Sequence, residues 1–177
     1  GVKDGKIKQI GQISENAKEI INAEGQYVLP GCIDTQTHFR EPGSTDTEDL
    51  HSGSRAAVAG GITGVFEMPN TNPPTANKKE FQKKLDLAKN RMYCNYAFYF
   101  GATADNADDL ASLKDLEGCC GIKLFAGSST GNLLVANEKD IEKVFQNSSK
   151  VVAVHSEDEE ILNINKKLIK QGDVHSH

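Results

Sequence analysis

The segment Leu29-Pro30-Gly31-Cys32-Ile33-Asp34-Thr35-Gln36-Thr37-His38-Phe39-Arg40-Glu41-Pro42-Gly43 gathers polar, metal-competent side chains at the end of an apolar run and closes on a Pro-Gly turn. Residues two apart on a strand share a face, so Gln36, His38 and, if the strand persists, Arg40 are expected on one side. His38 can act there as a metal ligand, a general base or a hydrogen-bonded structural histidine. A metal site would favour histidine at position 36, and the Gln36 amide is a poorer zinc ligand than imidazole. Arg40 offers a planar fork that suits a carboxylate; a loop ion pair with Glu41 or Glu48 would also satisfy it.

Lys123 interrupts the apolar run Gly121-Ile122-Lys123-Leu124-Phe125. An ammonium there is costly unless paired, and desolvation lowers an amine pKa. Such a lysine can be a nucleophile, a Schiff base or a carbamate formed with carbon dioxide, which would bridge two divalent metals as an anion. A lysine snorkelling to solvent from the sheet end is the structural alternative. His155 ends the apolar run Val151-Val152-Ala153-Val154, and the acids Glu157 to Glu160 read as the start of the next helix, matched to its dipole. Asn70, in Met68-Pro69-Asn70-Thr71-Asn72-Pro73-Pro74, either forms a turn or hydrogen-bonds a polar substrate. His51 reads as a surface residue. His175 and His177 have HxH spacing in a terminal segment, a weak setting for a metal. The loop from Ala126 to Asn132 has neither a P-loop nor a dinucleotide signature, and reads as a flexible loop beside the site.

The elements that must position these side chains alternate. Strands are expected over 32–39, 62–68, 93–100, 119–125 and 151–155. Helices are expected over 46–59, 77–91, 105–116, 137–146 and 157–170, with Phe81, Leu85 and Ala88 inward on the second, Leu110, Leu113 and Leu116 on the third, and Ile141, Val144 and Phe145 on the fourth. Five strand-then-helix units imply an α/β fold with a parallel sheet and right-handed crossovers. Chemistry in such folds collects at the strand C-termini, where Gln36, His38, Lys123 and His155 fall. An eight-unit barrel needs ~250 residues, so a chain of 177 residues reads as an incomplete TIM (β/α)8 barrel of about five units over 29–177. Residues 1–28 read as a separate small β element, with an Asp4-Gly5 hairpin and a second strand through Tyr27 and Val28.

Composition bounds the rest. A hydrophobic fraction of 37% and a charged fraction of 25% fit a globular protein. A formal net charge of −5 without a basic stripe excludes a nucleic-acid surface. No apolar run approaches the ~20 residues of a membrane span, and the start has no signal-peptide pattern. Cys32, Cys94, Cys119 and Cys120 show no CxxC spacing and read as buried reduced thiols of a cytoplasmic protein.

On these motifs the chain resembles the cyclic amidohydrolases. Residues 30–43 are similar to the PGxIDxHxHxREPG signature, with Gln36 in place of the first histidine. Glu67-Met68-Pro69-Asn70-Thr71-Asn72-Pro73-Pro74-Thr75 looks most like the dihydroorotases, Gly121 to Phe125 like the strand that presents a carboxylated lysine, and Val154-His155-Ser156-Glu157 like the later ligand strand. The resemblance runs from about Tyr27 to about Lys170. It implies a small β-sandwich of which the N-terminal hairpin is part, and one or two zinc ions held by His38, carboxylated Lys123, His155 and, weakly, Gln36. It also implies Arg40 and Asn70 on a substrate carboxylate. The reaction implied is reversible opening of dihydroorotate to N-carbamoyl-aspartate in pyrimidine synthesis, in a homodimer or an assembly with other enzymes of that pathway. The family's sixth-strand histidine and its eighth-strand general-base aspartate are expected beyond residue 177, so the 177 residues alone are expected to be inactive. Two other readings are an allantoinase or dihydropyrimidinase, and a non-catalytic dihydroorotase-like scaffold in which Gln36 marks a lost metal.

Overall fold

A computed structural model describes residues 1–129 and 132–170. The chain divides into two units, Gly1–Pro30 and Gly31–His177. In the first, β1 (Val2–Lys3) and β2 (Lys6–Ile7) form an antiparallel hairpin. Asp4 and Gly5 both have positive φ, 53° and 70°, as a two-residue turn between twisted strands requires. The strand expected through Tyr27 and Val28 does not form: this stretch is irregular and exposed. Its alternation has no partner strand within the unit, and an unpaired strand is unstable in water.

The second unit is built on five parallel strands in sequence order: β3 (Cys32–Thr37), β4 (Ile62–Glu67), β5 (Asn95–Gly101), β6 (Cys119–Phe125) and β7 (Val152–His155). This is the strand order of a TIM barrel that stops after five units, the fold the alternation predicts. Four helices return the chain between and after these strands: α1 (Leu50–Ala59), α2 (Lys78–Ala88), α3 (Glu138–Asn147) and α4 (Glu159–Leu168). The core lies between sheet and helices. Val65, Phe98, Phe100, Ile122 and Leu124 on the strands meet Phe81, Leu110, Leu113 and Val144, and Phe81 stands edge-on to Phe98 at 6.4 Å.

Local chemistry sets the helix limits. Asp49 and Ser52 form a capping box at the start of α1, which begins at Leu50, four residues later than expected. The helix stops at Gly60-Gly61, where Gly61 takes φ +87°. Asn77 caps α2 by accepting the Glu80 N–H at 2.9 Å. The third predicted helix is a 3-10 helix over Ala107–Leu113. Its leucines recur every three residues, the period of that helix, and Leu110 and Leu113 are buried. Phe145 is 51% exposed, against expectation, because a helical step of 100° carries it off the face that buries Val144. Cys32 is also exposed, because β3 is an edge strand; Cys119 is buried and all four thiols are free. Among the described residues no helix is long and apolar enough to cross a membrane.

Candidate active site

β3 ends at Thr37, two residues earlier than the sequence suggests, so His38, Arg40 and Glu41 lie on a loop. Arg40 sits at φ +59°, and strand alternation therefore does not place it. Phe39 anchors this loop: it is buried and packs so closely on α1 that a Cβ on Gly53 would meet its ring at 2.5 Å. Glu41 accepts the Leu50 N–H at 2.9 Å and pairs with Arg91 through two bonds of 2.7 and 3.2 Å. The alternative pairing of Arg40 with Glu41 or Glu48 does not form: Glu41 pairs with Arg91, and Arg40 makes no ion pair among the described residues.

Four charged or polar side chains influence the His38 ring. Burial lowers its pKa from the ordinary 6.5; the Arg40 charge lowers it further, the Asn70 side chain raises it, and Lys123 and Lys84 lower it again. The net effect is a neutral imidazole at physiological pH, the form that can ligate a metal. Asn70 Oδ1 is buried and no protein group meets it with regular hydrogen-bond geometry, although its side chain lies close enough to favour the protonated ring. The Asn70 loop is fixed on three sides. Met68 N–H donates to Thr37 O at 2.9 Å, Asn72 N–H to Pro42 O at 3.0 Å, and Gly101 N–H to Thr75 O at 2.9 Å.

Lys123 is 3% exposed, two residues before the end of β6, and its amine pKa is pushed down by desolvation. Nζ lies 4.9 Å from the centre of the Phe125 ring, and no carboxylate among the described residues pairs with it. Phe125 and His155 are register partners with rings stacked at 6.0 Å, so alternation puts Lys123, Phe125 and His155 on one face. Glu157 bonds His155 Nε2 at 2.7 Å; it sits ahead of the Asp158 cap of α4 and engages the histidine as well as preceding the helix. Gln36 is exposed, and its backbone N–H donates to Asp34 Oδ1 at 2.9 Å. His51 is exposed, with its ring against Tyr93. His175 and His177 lie outside the described residues, as do Thr130 and Gly131 of the loop after β6.

The donor types fit a divalent metal only in part. A neutral His38, a desolvated lysine able to become a carbamate and a carboxylate-held His155 are suitable donors. Gln36 is not, and no group of three His, Cys, Asp or Glu side chains poised for a metal occurs among the described residues. Sequence reasoning missed two features, the buried Glu67–Lys84 pair and the Glu41–Arg91 clamp. The first had a signal: Glu67 ends an apolar strand, and Lys84 falls three residues after Phe81 and four before Ala88, on the inward stripe of α2.

Comparison with known proteins agrees with this architecture. The chain matches the Amidohydrolase family over residues 27–172. It is 37% identical over 178 residues to a dihydroorotase of Methanosarcina acetivorans, an alignment covering 98% of this chain and 38% of that protein. It is 34% identical to an allantoinase of Bacillus velezensis over 162 residues, covering 88% of this chain and 36% of the relative. The L-hydantoinase (dihydropyrimidinase) from Arthrobacter aurescens superposes with a TM-score of 0.75 at 28% identity, over 82% of this chain and 33% of that one. The chain thus spans less than two fifths of the length of these relatives.

Proposed function

This chain belongs to the amidohydrolase family, and on that premise we propose that it forms the first five strands of a metal-dependent cyclic-amide hydrolase of dihydroorotase type. The reaction adds water across the ring amide of dihydroorotate: the C–N bond breaks, the carbonyl carbon becomes a carboxylate and the nitrogen stays in the carbamoyl group of N-carbamoyl-aspartate. The carrying observation is the buried Lys123 on β6 of the parallel sheet, on one face with Phe125 and His155 and near enough, with Arg40 and Asn70, to influence the His38 ring. Zinc bound beside His38, Lys123 and His155 would supply Lewis acidity toward the amide carbonyl and lower the pKa of water.

The chain's own groups prepare that site. Burial disfavours the protonated form of the His38 ring. Desolvation raises the fraction of Lys123 present as free amine. That amine can add to carbon dioxide, forming an N–C bond and releasing one proton to leave a carbamate. Arg40 supplies a planar donor pair for a substrate carboxylate, and Asn70 offers a buried amide oxygen beside the His38 ring. Glu157 fixes the orientation of His155.

The full-length protein, prepared with zinc and bicarbonate, should hydrolyse dihydroorotate in preference to allantoin and to an unsubstituted hydantoin. Preference for allantoin would move the reading to the second enzyme class. No turnover of any cyclic amide, with no zinc retained, would identify a scaffold with a lost metal at Gln36.

A further inference from the structure

A buried ion pair lies behind the site and touches both segments that carry its polar residues. Glu67 ends β4, and Lys84 stands on the inward stripe of α2; they are 1% and 0% exposed. Lys84 Nζ pairs with the Glu67 carboxylate, donates to Met68 O at 2.9 Å and lies 5.2 Å from the centre of the Phe98 ring. Met68 is two residues before Asn70, and its N–H donates to the carbonyl of Thr37, the residue before His38. On the other side, Glu67 is the register partner of Thr37, and the charge of Arg40 favours its ionised form. One cation–anion pair therefore links the strand end that leads to His38 with the peptide that leads to Asn70.

Packing does not require this arrangement. Apolar side chains of similar size would fill the same space without the desolvation cost of two charges. What they could not do is grip the Met68 carbonyl at the strand end that pairs with Thr37. We propose that Glu67 and Lys84 are positioning residues that fix the His38–Arg40 segment against the Met68–Asn70 segment, and so set the spacing of Arg40 and Asn70 across a bound carboxylate. The carboxylate part rests on the dihydroorotase reading; the fixing of the two segments does not.

The test uses the full-length protein with Lys84→Met and with the double change Glu67→Leu/Lys84→Met, which removes both charges and keeps apolar volume. Amide hydrogen exchange is read by segment. KM and kcat are read for dihydroorotate and for a hydantoin without a carboxylate. The double variant should melt near the wild type and keep wild-type exchange in β5 and β6. Exchange at 37–40 and 68–72 should quicken by roughly tenfold or more. KM for dihydroorotate should rise by about tenfold or more, with little change in kcat or in the KM of the hydantoin. Wild-type exchange in both segments would overturn the proposal. So would uniform quickening across all five strands, which marks a merely stabilising pair. Quickening confined to the two segments, in a protein whose wild type does not turn over dihydroorotate, would uphold the positioning role and defeat the substrate reading.

Discussion

Replacing Lys84 by methionine should convert a self-neutralising buried pair into a pH-dependent liability. Burial holds the Glu67 carboxyl up at about 7 even with the Lys84 ammonium against it. Methionine keeps most of the lysine's volume and removes that charge, the largest influence lowering the Glu67 pKa, so in the variant it moves above 7. A carboxyl whose folded pKa exceeds its ordinary 4.5 binds an extra proton in the folded state. Stability then falls as pH rises, by ~1.4 kcal/mol per pH unit for one full proton. In the wild type this loss ends as pH passes about 7. Lys84, lowered by burial, adds the opposite slope at higher pH, because there the unfolded chain binds more protons. In the variant the loss continues. Between about pH 7 and 8.5 the stability gap should widen by ~2 kcal/mol, beyond the ~3–5 kcal/mol that opening a buried pair costs. Urea unfolding of full-length wild type and variant at a series of pH values measures it. A gap that stays constant or narrows over that range would refute the reasoning, because Glu67 would then not be a desolvated acid held ionised by Lys84.

Three further outcomes are expected. Gln36→His in the full-length protein should raise the zinc retained per chain after exposure to zinc and bicarbonate, read by elemental analysis; unchanged zinc would remove position 36 from the ligand set. Glu41→Gln should cost roughly 1–2 kcal/mol in urea unfolding, since it weakens both the cap on Leu50 N–H and a pair whose arginine is over a third exposed; a loss below the error of the measurement would mean that the clamp is not formed in solution. Asn77→Ala should cost ~1 kcal/mol by removing the cap on Glu80 N–H, and Asn77→Asp should restore it; equal losses in both would point to a role outside capping.

Much of the fold was legible because it rests on local chemistry. The five strand–helix alternations, the Asp4-Gly5 turn, the Gly60-Gly61 stop and the Asn77 cap each follow from a few adjacent residues. The failures were also physical. The 105–116 stretch shows a three-residue leucine period, which belongs to a 3-10 helix. The stretch at Tyr27 and Val28 has strand composition, but pairing depends on a partner that sequence pattern does not supply. Phe145 and Cys32 have core character, yet helix phase and an edge-strand position expose them.

By itself the sequence determined the candidate chemistry: His38, Lys123 and His155 at strand ends, the amide at Gln36, and the motifs shared with cyclic amidohydrolases. Those signals survive in one dimension because they depend on residue type and spacing. Tertiary structure decided which charges meet. Arg91 takes Glu41, leaving Arg40 without an ion pair among the described residues. Lys84 reaches across the sheet–helix layer to Glu67 and Met68. Asn70, Arg40 and Lys123 act on one imidazole from three different loops and strands. Electrostatic partnership depends on distance and burial in three dimensions: Lys84 and Met68 are 16 residues apart in the chain, and Arg91 and Glu41 are 50.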